Sequence, residues 1–310
     1  RLANALPLKD YIPEPAQRNE KFKLEKLYLE KGLKGRISNA LRDDDIDYTV
    51  LNLELLEEKG FGFTTEDVAL QWIEKLPYAK TYTAERAAYR NIILGLKPPK
   101  TALFWNPFRE WIGAQIRADV FGYASPADPP RAIELAYKDA RLSHTKNGIY
   151  GEMFIAATIS ASFVAEDVLE AIRIGEACIP KTSRIHEAIE ACISSWKKAK
   201  SFEESYAELM EKYGSLHRVH TINNEVIVVL SLLYGDLDFS KSIALAVTSG
   251  LDTDCNAATV GSIVGAMIGE ARIEDKWKAP LNDRVELGLS GHAYERISEL
   301  IKRTMKVIEI

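Results

Sequence analysis

Cysteine is scarce in this chain. Its three residues, Cys178, Cys192 and Cys255, form no CxxC pair, and an odd count suits no disulfide framework. A reducing compartment is therefore expected, with the cytoplasm as the location. Long hydrophobic runs are missing too. The nearest approach, Val260–Ile268, falls short of the roughly 18 apolar residues of a membrane helix, so no membrane partner is expected. The net charge of -5 offers nothing to attract nucleic acid or an anionic surface. The most basic stretch, Lys21–Arg36, alternates cations with Leu, Phe and Glu, the pattern of a solvated face beside an apolar one. Eighteen Gly and 12 Pro in 310 residues exclude collagen-like and low-complexity chains, and 46% hydrophobic content excludes disorder. No signal peptide is visible, and the opening Arg1 leaves room for a missing N-terminal segment.

What is present is helical periodicity, almost from end to end. Thr64 or Thr65 opens a helix through Lys75 that Pro77 closes, and another runs from Thr83 to about Leu94, ending at Gly95. Asp128 with Pro129 and Pro130 starts a helix over Arg131–Leu142, where proline removes no hydrogen bond. Tyr150–Val164, Glu166–Ile179 and Ser183–Lys198 follow. Ser201 and Glu204 form a capping box for a helix ending at Gly214. Asn224–Tyr234, Phe239–Ser249, Asn256–Ala271 and Tyr294–Ile310 complete the set. The stretch Leu96–Ala127, rich in Pro, Trp and Gly, reads as irregular. No repeat and no linker divides the chain, so residues 1–310 are expected to form one all-α domain despite a length that suits two. Gly261, Gly265 and Gly269 lie four apart on one helix face. Each costs about 1 kcal/mol relative to Ala in a helix interior, and the close approach of another helix backbone is the expected compensation.

Two acidic clusters open two helices. Asp43, Asp44, Asp45 and Asp47 precede the apolar Val50–Leu56 segment, and Asp252 and Asp254 introduce the glycine-faced helix. Each cluster alone reads as helix capping at the positive end of the dipole. Together, Asp43, Asp44, Asp45, Asp252 and Asp254 supply oxygen donors for two hard divalent cations, provided the clusters face each other. Two such ions can clamp vicinal hydroxyls and polarise a water for attack on a nearby carbon. Asp43–Asp47 also reads DDxxD, the diphosphate signature of isoprenoid synthases. The second acidic motif that those all-α enzymes need is absent downstream, and only 42 residues precede the first.

At this point the chain resembles the ADP-ribosylglycohydrolases. Gly250-Leu251-Asp252-Thr253-Asp254-Cys255-Asn256-Ala257-Ala258-Thr259-Val260-Gly261 is similar to that family's G-x-D-T-D-T/C-x-x-A-x-x-G signature. Asp43-Asp44-Asp45 falls where the family has its T-D-D metal motif, and Gly113–Arg117, Gly122 and Ser143-His144 match the middle of its pattern. The resemblance runs from Leu6 to the C-terminus. It implies a compact orthogonal multi-helix bundle holding two Mg²⁺ ions, with Mn²⁺ accepted. It also implies hydrolysis of the bond between ADP-ribose and a protein side chain or other acceptor. Asp43, Asp44, Asp45, Asp252, Asp254 and Cys255 are then the metal positions, with Asp44 and Asp45 helping to deprotonate the attacking water. Three departures accompany the resemblance. Cys255 stands where many members have an oxygen donor, the glycine-rich diphosphate loop is reduced to Glu110–Ala114, and the opening glycine-rich helix with its Glu has no match before Leu6.

Other residues carry weaker signals. Asn106, Gly113, Arg117, Tyr123, His144, Asn147 and Tyr150 are the expected substrate contacts, with Trp105 and Trp111 as candidate base-stacking rings. Arg117 suits a phosphate or, better, an acidic ligand of the metal site. His217 and His220 share a helical face, but no further ligand completes a zinc set beside them. His144 suits no serine triad, because there is no G-x-S-x-G elbow. Two alternatives to an ADP-ribosyl hydrolase stand beside it: hydrolysis of a small nucleoside or other free glycoside, and a non-catalytic crystallin-like protein on the same scaffold. Five retained acids argue against the second, and the reduced diphosphate loop favours the first.

Overall fold

The computed structural model describes residues 8–14 and 30–309; most of the basic stretch Lys21–Arg36 lies outside them. Among the described residues, thirteen helices longer than one turn are bounded, in order: α1 Asp44–Lys59, α2 Thr65–Lys75, α3 Thr83–Ile93, α4 Asp119–Tyr123, α5 Pro129–Ala140, α6 Asn147–Ser162, α7 Val168–Ala177, α8 Arg184–Lys197, α9 Phe202–Tyr213, α10 Thr221–Gly235, α11 Phe239–Ser249, α12 Thr253–Ile268 and α13 Ile297–Ile308. The sequence begins these helices by local chemistry. Thr64 and Asp67 satisfy each other's backbone N–H groups at the start of α2, and Ser201 and Glu204 do the same for α9. Asp128 caps α5 ahead of its two prolines.

The core is organised around α10, in which fourteen of fifteen residues are buried. Such all-round burial needs partners on every side. They are α6, α8, α9, α11 and α12. A second buried helix, α6, packs between α5 and α7. The stripes of α1, α2, α4 and α5 close the remaining side, with Trp72, Tyr48, Phe63 and Phe121 fully buried among them.

Two expectations need correction. The C-terminal helix does not begin at Tyr294: β1 Val285–Leu289 pairs antiparallel with β2 His292–Glu295, and α13 starts only at Ile297. The strands are too short for alternation to compete with the helical signal around them. This hairpin also positions the first acidic cluster. Ala40 exchanges backbone hydrogen bonds with Arg284 and Glu286, both 2.9 Å, and Gly288 N donates to Asp47 at 2.6 Å. The second correction concerns the glycines. A Cβ on Gly261 or Gly265 would meet only side chains (Phe239, Ile243, Ile273) at 3.7–4.0 Å, ordinary contact, with no backbone close by. Gly269 lies outside the helix, ending it at φ 75°. Close approach occurs elsewhere, at Gly122 against Ile159 and the Ala156 carbonyl.

Candidate functional site

The N-termini of α1 and α12 meet, and their acids share one small volume. Ligand atoms of Asp43, Asp44 and Asp45 lie within 4.8 Å of one another, as do those of Asp45, Asp254 and Cys255, so Asp45 belongs to both groups. Asp43 caps α1, accepting from Asp45 N at 3.3 Å. Asp252 stands at the cap position of α12 without capping it, which leaves its carboxylate free of the backbone.

No lysine or arginine among the described residues pairs with Asp43, Asp44, Asp45, Asp252 or Asp254 at ion-pair distance. Burial and mutual repulsion therefore dominate, eased only in part by the charges of Arg42 near Asp44 and Arg218 near Asp252. Burial and the neighbouring Asp43 push Asp44 up to about 8. The same causes carry Asp45 well above the carboxylate range, and burial with Asp254 raises Asp252 to about 7. Cys255 is buried, its thiol held protonated by burial and by the surrounding acids, and it donates to Asp45 Oδ2 at 3.6 Å. Asp47 stands apart from this group. It is fully buried and salt-bridged to Arg42 Nε at 2.6 Å, so the DDxxD spacing does not act as one unit.

Asp43, Asp44, Asp252 and Asp254 line a cavity of about 450 Å³. Its lining includes Asp43, Asp44, Asp252, Asp254 and Cys255, with Arg42, Tyr82, Thr83, Glu85, Trp111, Ile112, Gly113, Ile116, Arg218 and Val219. Gly113 is the expected substrate contact that lines it. A Cβ there would collide with the Glu85 carboxylate, which is itself ion-paired to Arg117, so any side chain would have to displace that pair. Trp111 also lines the cavity, stacked on His217 with centroids 4.2 Å apart and planes at 8°.

The other six expected contacts lie outside this lining, bonded to or packed against protein groups. Arg117 is fully buried against the rings of Tyr48 and Trp72 and binds Asp139 at 2.5 Å and Glu85 at 2.8 Å. His144 shares a 2.8 Å hydrogen bond with Ser143, and burial holds it neutral. Asn106 donates to the Ser143 carbonyl, Asn147 to Glu110, and Tyr123 hydrogen-bonds Ser262. Tyr150 packs against the core. His217 and His220 hold no common ligand position; His220 instead caps α10.

Three residues that matter here carried no signal in the sequence. Glu85 sits in the first turn of α3, where an acid reads as dipole compensation. Arg218 sits in a short loop beside two histidines. Asn224, fully buried in α10, accepts from Asp252 N at 3.1 Å and from Asn256 Nδ2 at 2.8 Å, while donating to the Arg218 and His220 carbonyls, both at 2.9 Å. It ties the acidic turn to the Arg218 loop.

A family profile described as ADP-ribosylglycohydrolase matches residues 6–309. A solved structure titled "ADP-ribosylglycohydrolase-related protein complex" is similar in fold, with a TM-score of 0.63 and 17% identity, covering 99% of this chain and 93% of that one. Comparison with curated proteins finds no match. No described helix is long and apolar enough to cross a membrane.

Proposed function

Because the chain belongs to the ADP-ribosylglycohydrolase family, a hydrolase of ADP-ribose-linked substrates, we propose that it cleaves the glycosidic bond between ADP-ribose and a protein side chain or other acceptor. The reading includes two divalent cations, Mg²⁺ with Mn²⁺ as a substitute, held by Asp43, Asp44, Asp45, Asp252 and Asp254. The observation that carries it is the convergence of both acidic clusters on Asp45, beside a cavity that the other four aspartates line.

The donor set fits such ions: carboxylate oxygens, crowded, partly buried and without a protein cation. Divalent cations there would supply Lewis-acid polarisation of the sugar oxygens and charge compensation for the acids. Asp44, at the cavity wall, is assigned the proton of the water that attacks the anomeric carbon. Asp45, behind it, is oriented by the Cys255 thiol; a soft donor adds little to a hard cation directly. Gly113 keeps the wall thin where the sugar would sit, and Glu85 with Arg117 holds that wall in place.

The continuous buried cluster from Tyr48 to Val307 supports one domain acting as a unit. The test is release of ADP-ribose from ADP-ribosylated arginine and serine peptides, with Mg²⁺ and after chelation. Metal-dependent release supports the reading. Equal release after chelation overturns the cation assignment, and hydrolysis of neutral nucleosides alone would favour the small-riboside alternative.

A further inference from the structure

Two arginines line the cavity, and they differ in their commitments. Arg42 donates to Asp47 at 2.6 Å, to the Tyr82 hydroxyl and to the Lys80 carbonyl, so its guanidinium is spent within the protein. Arg218 is exposed, and its guanidinium makes no hydrogen bond, ion pair or ring contact with any described residue. Its charge nevertheless reaches Asp252.

The loop that carries Arg218 is held on every side. Val219 O accepts from Ile112 N at 2.9 Å, the His217 ring stacks on Trp111, and the His217 carbonyl accepts from Asn223 at 3.1 Å. Asn224 holds the Arg218 carbonyl itself. A free planar fork of donors thus projects from a fixed loop that lines the same cavity as the acids. A guanidinium in that state matches a phosphate oxygen pair, with little ordering of the loop left to oppose binding.

We propose that Arg218 is the anion grip of the cavity and selects ribosides bearing a phosphate or diphosphate over neutral ones. This rests on the ADP-ribosyl reading and deepens it, since it assigns the anion to a side chain where the glycine-rich loop is short.

Calorimetric titration in Mg²⁺ tests it, with ADP-ribose, ADP and adenosine as probes and wild type, Arg218→Ala and Arg218→Lys as proteins. Arg218→Ala should weaken ADP-ribose and ADP roughly 10- to 100-fold, the loss of charge-assisted hydrogen bonds, while leaving adenosine unchanged. Arg218→Lys, a point charge without the fork, should fall between. Added salt should weaken wild type more than Arg218→Ala. Equal ADP-ribose affinity in wild type and Arg218→Ala overturns the proposal, and so does wild type that binds adenosine but neither phosphorylated probe. A parallel assay on an ADP-ribosylated peptide separates the two claims. Arg218-dependent ADP-ribose binding without hydrolysis supports the grip and sinks the hydrolase. Hydrolysis with unchanged kcat/KM in Arg218→Ala does the reverse.

Discussion

Two groups of acids, one buried and one only partly so, lie within a few residues of the same cavity, and they are compensated differently. Around Arg117, the carboxyls of Glu85, Asp139 and Glu152 surround one guanidinium that all three can reach, at 2.5–3.7 Å. Around Asp45, four further aspartates gather, with no lysine or arginine of the described residues at ion-pair distance. The first group has its own cation but is compensated only in part: one guanidinium faces three carboxyls, and Glu152, with neither oxygen hydrogen-bonded, is raised well above the carboxylate range by burial and by Asp139. The second is incomplete in the electrostatic sense, since clustered, partly buried carboxylates need either protons or a cation from outside. A third case sharpens the contrast. Glu225, fully buried in α10 with neither oxygen hydrogen-bonded, is raised far above the carboxylate range by burial alone and is held protonated.

The comparison can be broken at several points. The largest effect is expected at Arg117. Arg117→Met strands three buried acids and should cost about 3–5 kcal/mol of stability, read by urea denaturation; near-wild-type stability would mean that the knot is neutral already. Asp45→Asn should do the opposite to the metal-free protein, raising its stability by at least about 1 kcal/mol as repulsion is relieved, while cutting peptide hydrolysis at least about 100-fold. A variant that lost stability and kept turnover would place the acids in a structural role.

Mg²⁺ should stabilise wild type by about 2.7 kcal/mol at roughly 100 times its Kd, and Asp45→Asn much less; thermal melts with and without chelator decide this.

Glu225 sets a pH dependence whose sign is fixed. Its folded pKa lies above the ordinary 4.5, so the folded protein binds the extra proton. Its contribution is complete below about pH 4.5 and is lost progressively as pH rises toward the raised value. Glu225→Gln should flatten that decline and gain at least about 1 kcal/mol at pH 7; an unchanged profile would mean that the carboxyl finds compensation in solution. The smallest effect is expected at Cys255, where Cys255→Thr should shift Mg²⁺ affinity by no more than about 1 kcal/mol.

Local rules read well from this sequence, and long-range ones only in part. The caps at Thr64, Asp128 and Ser201 are legible because both partners lie within four residues. The acids at Asp43–Asp45 and Asp252–Asp254 stood out as types, and the family pattern implied their meeting; spacing alone could not, since about two hundred residues part them. Asn106 in the irregular segment, His144 and Asn147 at a turn-like stretch, and Arg117 in the family pattern all read as substrate contacts, because polar side chains on loops often face a ligand. The same types also satisfy buried backbone and charge, and here they do so. The pattern of Gly261 and Gly265 was visible, but its cause was not: a glycine opposite Phe239 and one opposite a helix backbone look alike in sequence.

Asn224 has a consequence for how the cavity can change. One amide holds the Asp252 backbone with its oxygen and the Arg218 backbone with its nitrogen. The separation of these two segments is therefore a fixed gauge set by a single side chain. A ligand longer or shorter than the gauge cannot be accommodated by sliding one segment alone. Retuning the cavity to a different length of substrate would begin at position 224, in the middle of the core, rather than at its rim.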